Sequence, residues 1–186
     1  MFKRWLLSVA FLACFSTSVA KDRAVEISAG GGIYFPTHKD YDSYFDGQPA
    51  SFSLQASFLG NSSLAFKLRG DYITKRIDRA LAVYRGATAR LYDLRIGFDW
   101  RFLRDRRIFP FLGAGFGVGE ARASSSLTAK FYGGYIEGGM RYRLTPLVFV
   151  GADVWQDFRQ GEDLGAGNIN LGGTHIGLRA GVRLGK

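Results

Sequence analysis

The chain has 186 residues, with 25 Lys and Arg against 16 Asp and Glu, a formal net charge of +9. Aromatic residues make up 15% of it, 25 positions are glycine, and Cys14 is the single cysteine. These figures fit one domain and exclude an internal disulfide framework; a basic surplus can mean nucleic acid, which an export signal argues against.

That signal is residues 1–20. Lys3 and Arg4 form a positive start, residues 5–15 an apolar stretch, and Ser18-Val19-Ala20 a small-residue cleavage site. The stretch is too short for a membrane anchor. Leu12-Ala13-Cys14 resembles the end of a lipoprotein signal, but Phe11 stands where leucine is usual. Cleavage after Ala20 removes Cys14 and leaves a domain of residues 21–186 with 23 basic and 16 acidic residues, a net charge of +7. That domain must close by hydrogen bonding and packing alone. It holds no run of about 18 apolar residues, so a membrane role falls to strands.

Eight alternating segments follow in order: residues 25–35, stopped by Pro36; 51–59, before the turn Gly60-Asn61-Ser62; 64–74; 92–102; 109–118, opening with Pro110; 131–144; 147–158; and 174–184. Proline is tolerated at the start of a strand. Each segment is near the ~9–11 residues that cross a bilayer at a tilt. The links after the second, fourth and sixth are tight. Those after the first, third, fifth and seventh are longer: residues 36–50, 75–91, 119–130 and 159–173. Short turns at one end and long loops at the other are the outer-membrane barrel pattern. The predicted fold is an all-β, eight-stranded antiparallel up-and-down transmembrane barrel.

The stretch 94–102, Leu-Arg-Ile-Gly-Phe-Asp-Trp-Arg-Phe, displays the governing rule: each large apolar residue alternates with a charged one or glycine. Period two puts the two sets on opposite faces. The same phase assigns outward Ile27, Ile33, Phe52, Leu54, Phe66, Leu94, Phe98, Trp100, Leu112, Phe116, Ile136, Met140, Val154, Leu178 and Val182. It assigns inward Glu26, Lys67, Arg69, Asp71, Asp93, Arg95, Asp99, Arg101, Glu137, Arg141, Arg143, Asp153, Arg179 and Arg183. A basic residue facing mid-bilayer lipid costs about 2–4 kcal/mol, so an outward face without charge is what lipid demands. The competing architecture is a secreted sandwich with its charged face in water. Against it, aromatics gather at the strand ends, with Phe35, Phe52, Tyr72 and Tyr92 at one rim and Phe58, Trp100, Phe102 and Tyr142 at the other. Gly113, Gly115, Gly117, Gly133 and Gly139 fall inward, where they are expected to make room for long Arg and Glu side chains.

The segments 110–119, 133–142 and 177–184 resemble the fifth, sixth and last strands of small outer-membrane barrels of the outer membrane protein A type. The resemblance implies an eight-stranded barrel in the outer membrane and no activity. It also implies contact with the outer-membrane assembly machinery, although such chains usually end in an aromatic residue and this one ends Leu184-Gly185-Lys186.

The inward charges are expected to pair, because an unpaired buried ion costs several kcal/mol, and an eight-stranded interior has room only for side chains. Glu137 is a candidate partner for Arg95 or Arg141. Catalysis has little support. His38 and His175 are the only histidines, and His175 could meet a serine such as Ser124 or Ser126, yet no motif specifies a nucleophile and base. No cofactor and no metal is implied; Asp40, Asp42 and Asp46 form an acidic first loop. Lys75, Arg76, Arg79, Arg85 and Arg90 suit lipopolysaccharide phosphates or a solvated basic rim. The expected protein is a monomeric, non-enzymatic barrel that serves envelope integrity or meets a surface partner through its loops. The alternatives are a lipid A-modifying enzyme and a narrow ion-conducting pore.

Overall fold

The computed structural model describes residues 24–37, 48–60, 63–76, 88–103, 106–122, 128–163 and 167–185; the leader, His38, Asp40, Asp42, Asp46, Arg79, Arg85, Ser124 and Ser126 lie outside them. The strands are β1 Ala24–Pro36, β2 Ala50–Leu59, β3 Leu64–Arg76, β4 Thr88–Arg101, β5 Ile108–Arg122, β6 Thr128–Arg143, β7 Val148–Asp163, β8 Gly167–Asn170 and β9 Gly173–Leu184. Each pairs antiparallel with its sequence neighbour from β1 to β7, and β9 pairs with both β7 and β1. The sheet therefore closes on itself and has no free edge across its span.

The eight-stranded topology is as expected, and β8 corrects the extent of the last long loop. It pairs with Gln160–Asp163, at the far end of β7, while β9 takes the remainder of β7 from Val148 to Asp157. β8 and β9 thus form one eighth staircase, broken at Leu171 and Gly172. The segment expected to be a loop, residues 159–173, is mostly strand. Other strands also outrun their predicted ends: β4 begins at Thr88 rather than 92, and β5 runs to Arg122 rather than 118.

The period-two rule sorts the wall as expected. Leu54, Leu94, Phe98, Trp100, Leu112, Ile136 and Leu178 are exposed on the outside, and Lys67, Arg69, Arg95, Asp99 and Arg141 are buried inside. Among the residues whose side chains are described, the charged ones on the outward face of the paired region are Arg90, Glu120, Arg122 and Lys130, all at the long-loop end, where Arg76 and Glu162 also hold outward register positions. Away from them the described outer wall carries no charged side chain, and its polar pair Thr174 and Gln156 satisfy one another; lipid is the solvent of such a surface.

Candidate functional site

Inside the wall, seven acidic and seven basic side chains are buried among the described residues: Glu26, Asp71, Asp93, Asp99, Glu137, Asp153 and Asp157 with Lys67, Arg69, Arg95, Arg101, Arg141, Arg159 and Arg179. Ion pairs join them in one chain. At the long-loop end Arg159 meets Asp93 at 2.7 Å and Asp157 at 2.8 Å. Arg95 reaches Asp93 at 2.6 Å, Asp157 at 2.9 Å and Asp71 at 3.0 Å. Arg69 continues from Asp71 (2.8 Å) to Asp153 (3.5 Å) and Glu137 (3.6 Å), and Arg179 closes on Asp153 at 2.7 Å. Lys67 bridges Glu137 and Asp99, the latter at 2.7 Å. Arg141 then links Asp99 (3.3 Å) to Glu26 (2.7 Å), where Arg101 ends the chain at 2.8 Å.

Register explains the partners. Arg69 faces Arg95 and Asp71 faces Asp93 across β3 and β4. Like charges directly opposite repel, so each row is neutralised by the row above or below it. Glu137 accordingly meets Lys67 and Arg69 rather than Arg95 or Arg141. Arg143 and Arg183, expected in the same network, sit half-buried at the short-turn rim. The Arg143 guanidinium lies 4.9 Å from the centre of the Phe109 ring, and Arg183 lies opposite Glu26 in register.

Two groups of residues escaped the sequence reading. Asp157 and Arg159 continue the inward period of β7 beyond Asp153, a signal that was present but lay at or past the expected strand end. The second group is a set of inward aromatics. Trp155 carries Arg69 at 3.6 Å, Phe111 carries Arg141 at 4.8 Å, and Phe131 carries Arg159 at 5.0 Å. Such contacts strengthen as water is excluded. They also correct the role of the glycines. A Cβ on Gly119 would stand 2.3 Å from Phe131 Cζ, and one on Gly139 2.7 Å from Phe111 Cε1. Gly113 and Gly117 do make room for charged groups, but Gly139 makes room for a ring, Gly115 for the Ile96 carbonyl and the Tyr135 hydroxyl, and Gly133 for the backbone of Phe158.

Apolar layers bound the charges. Ala24, Leu59 and Ala65 cluster at the short-turn end, near the buried Phe109 and Phe149. At the other end Tyr34, Ile73, Leu91, Phe131 and Leu171 are buried. Leu171 is held there by its own strap. Its carbonyl accepts from Tyr34 Oη at 2.9 Å, its N–H donates to the Arg159 carbonyl at 3.2 Å, and the next carbonyl, of Gly172, accepts from Thr37 N at 3.1 Å.

His175 is buried, stacked on Trp155 and hydrogen-bonded through Nε2 to Ser51 Oγ. Both residues point into the barrel, away from any lipid substrate. Among the described residues no three His, Cys, Asp or Glu side chains stand where they could hold a metal ion. Of the basic residues expected to meet phosphates, Lys75 is half-buried on β3, Arg76 pairs with Thr88 through the backbone, and Arg90 is exposed on the outer wall. Arg122 and Lys130, exposed beside it, were not anticipated.

No family model matches this sequence, and no curated protein does either. Solved structures do. Neisserial surface protein A is 20% identical over 91% of this chain and all of its own, with a TM-score of 0.58. The outer membrane protein OprG from Pseudomonas aeruginosa is 11% identical over 89% of this chain and 98% of its own, with a TM-score of 0.66. Ail, the attachment invasion locus protein of Yersinia pestis, solved with the heparin analogue sucrose octasulfate, is 16% identical over 88% of this chain and all of its own, at 0.57. The chain has the fold of the small outer-membrane β-barrels.

Proposed function

We propose that this chain is a non-enzymatic integral outer-membrane barrel, closed to solutes, that stabilises the envelope through its wall and rim and presents its long loops to a surface partner. One observation carries the reading: fourteen buried, charge-balanced side chains linked end to end between two apolar layers. Filling of this kind suits a plug. In an eight-stranded barrel, side chains occupy the space a channel would need. The outer patch of Arg90, Arg122 and Lys130, spread over two adjacent rows, suits lipopolysaccharide phosphates, which Arg contacts with paired, charge-assisted hydrogen bonds. Residues 1–20 act as a cleaved export signal for the domain 21–186, which inserts as a monomer with the help of the assembly machinery.

The test has two arms. Purified protein in a planar bilayer should remain silent, and the mass of lipid A should be the same in cells with and without the protein. A steady single-channel conductance would establish the pore alternative, and loss or gain of an acyl chain on lipid A would establish the enzyme.

A further inference from the structure

The outer wall is not smooth. A groove of about 860 Å³ opens in its apolar face, lined by Phe52, Leu54, Tyr72, Tyr92, Leu94 and Val118. Gly70 is part of its lining, an outward position between Leu54 and Leu94 in register where the missing side chain leaves a gap. The groove runs towards the long-loop rim, where Arg122 completes its lining.

Three successive rows of register order the chemistry from lipid to headgroup. The deepest holds Leu54, Gly70, Leu94, Val118 and Tyr132. The next holds Phe52, Tyr72, Tyr92, Glu120 and Lys130, and the third Thr74, Arg90 and Arg122. Four residues of strand separate Gly70 from the Arg90 row, ~13 Å along the chain. The rings of Tyr72 and Tyr92, 5.2 Å apart, mark the boundary between them, where amphipathic aromatics belong. Among the described side chains Arg90, Arg122 and Lys130 stand with one anion, Glu120, which pairs with Arg122, and Glu162 lies opposite Lys130 in register.

We propose that this groove binds one acyl chain of a phosphorylated glycolipid of the outer leaflet, of the lipid A class, with Arg90, Arg122 and Lys130 holding its phosphate. A pocket that takes a chain at one end and an anion ~13 Å along the strand at the other matches one amphiphile spanning both rows. The long-loop end of the barrel is the surface-facing end, so the occupant comes from the outer leaflet. This deepens the lipopolysaccharide contact proposed above and rests on it.

Gly70 supplies a test that spares the fold. A Cβ there meets nothing nearer than the Asp93 carbonyl, at 3.9 Å, so a larger side chain fits and fills the groove. Refolded protein in detergent micelles is titrated with purified lipid A, and bound lipid is counted by native mass spectrometry. Heat-modifiable migration certifies each variant as folded, and Gly70→Val serves if Gly70→Leu does not fold. The expected result is that Gly70→Leu weakens lipid A binding about tenfold, through lost chain contact. The Arg90→Gln/Arg122→Gln double variant should weaken it by a similar factor, through lost attraction to phosphate, and dephosphorylated lipid A should bind as weakly. Unchanged affinity in both the Gly70→Leu and Gly70→Val proteins overturns the groove; if the arginine variant still loses affinity, the phosphate contact alone survives. Unchanged affinity in the arginine variant overturns the phosphate contact. Equal binding of phosphatidylglycerol overturns the assignment to lipid A.

Discussion

Lys67 is buried between the carboxylates of Asp99 and Glu137, which come from different strands. Removing one partner of a buried pair leaves an uncompensated charge, which costs about 3–5 kcal/mol. Lys67→Met should therefore destabilise the barrel by about that amount in urea unfolding from lipid vesicles, and adding Glu137→Met should restore part of the loss. A cost near zero for the single variant would mean that water reaches the site. The face taken by each of these residues follows from period two alone. The partner does not, because Lys67 and Glu137 are 70 positions apart and Glu26 and Arg141 are 115 apart. Such pairs depend on the register of intervening strands, which alternation does not record. The inward rings were hidden for another reason: Phe and Trp occur on both faces, with Phe52, Phe98 and Trp100 outside and Phe109, Phe131 and Phe149 inside, so Phe111 and Trp155 carry no mark of their side beyond their parity.

Among the elements, β4 shows how far alternation reads. Its lipid-facing run from Tyr92 to Trp100 was visible in sequence, whereas its first residues, Thr88 to Leu91, were expected to be loop. The apolar period stops where lipid stops, and the strand continues past it with a polar outer face, as Arg90 on β4 and Gln160 on β7 show. The missed length of β7, and the whole of β8, have this cause. The boundary can be measured. Phe98→Arg places a cation in the middle of the apolar band and should cost about 2–4 kcal/mol in vesicle unfolding. Thr74→Arg, in the same row as Arg90 and Arg122, should cost about 0–1 kcal/mol. Equal costs at the two positions would mean that the band ends elsewhere.

At the scale of the whole molecule, the seven-to-seven balance of the buried charges means that the interior contributes nothing to the net charge. The surplus of the domain is carried by rims, turns and loops, where phosphates and water can answer it. The expected electrical silence follows from the same packing, since an ion crossing the barrel would have to part Leu171 from Tyr34 and then break the pairs beneath them.

The glycines under the inward rings bear on how such a barrel reaches one alignment. β5 carries glycine at 113, 115, 117 and 119, so β6 could slide by two residues and still find a glycine beneath Phe131 or Tyr135. Within the hairpin the slip is opposed at Phe111, which would leave Gly139 and stand opposite Glu137 or Arg141. It is opposed again on the far side of the barrel: a two-residue slip would carry Glu137 from Lys67, and Arg141 from Glu26. Those contacts span the lumen between strands that are not neighbours, so they form only once the sheet has curled towards closure. Alignment is therefore proofread at closure, and a chain with a strand out of step would be caught at its final joint. Glu26→Gln should accordingly slow the last, heat-modifiable stage of folding more than it slows the earlier gain of β-structure.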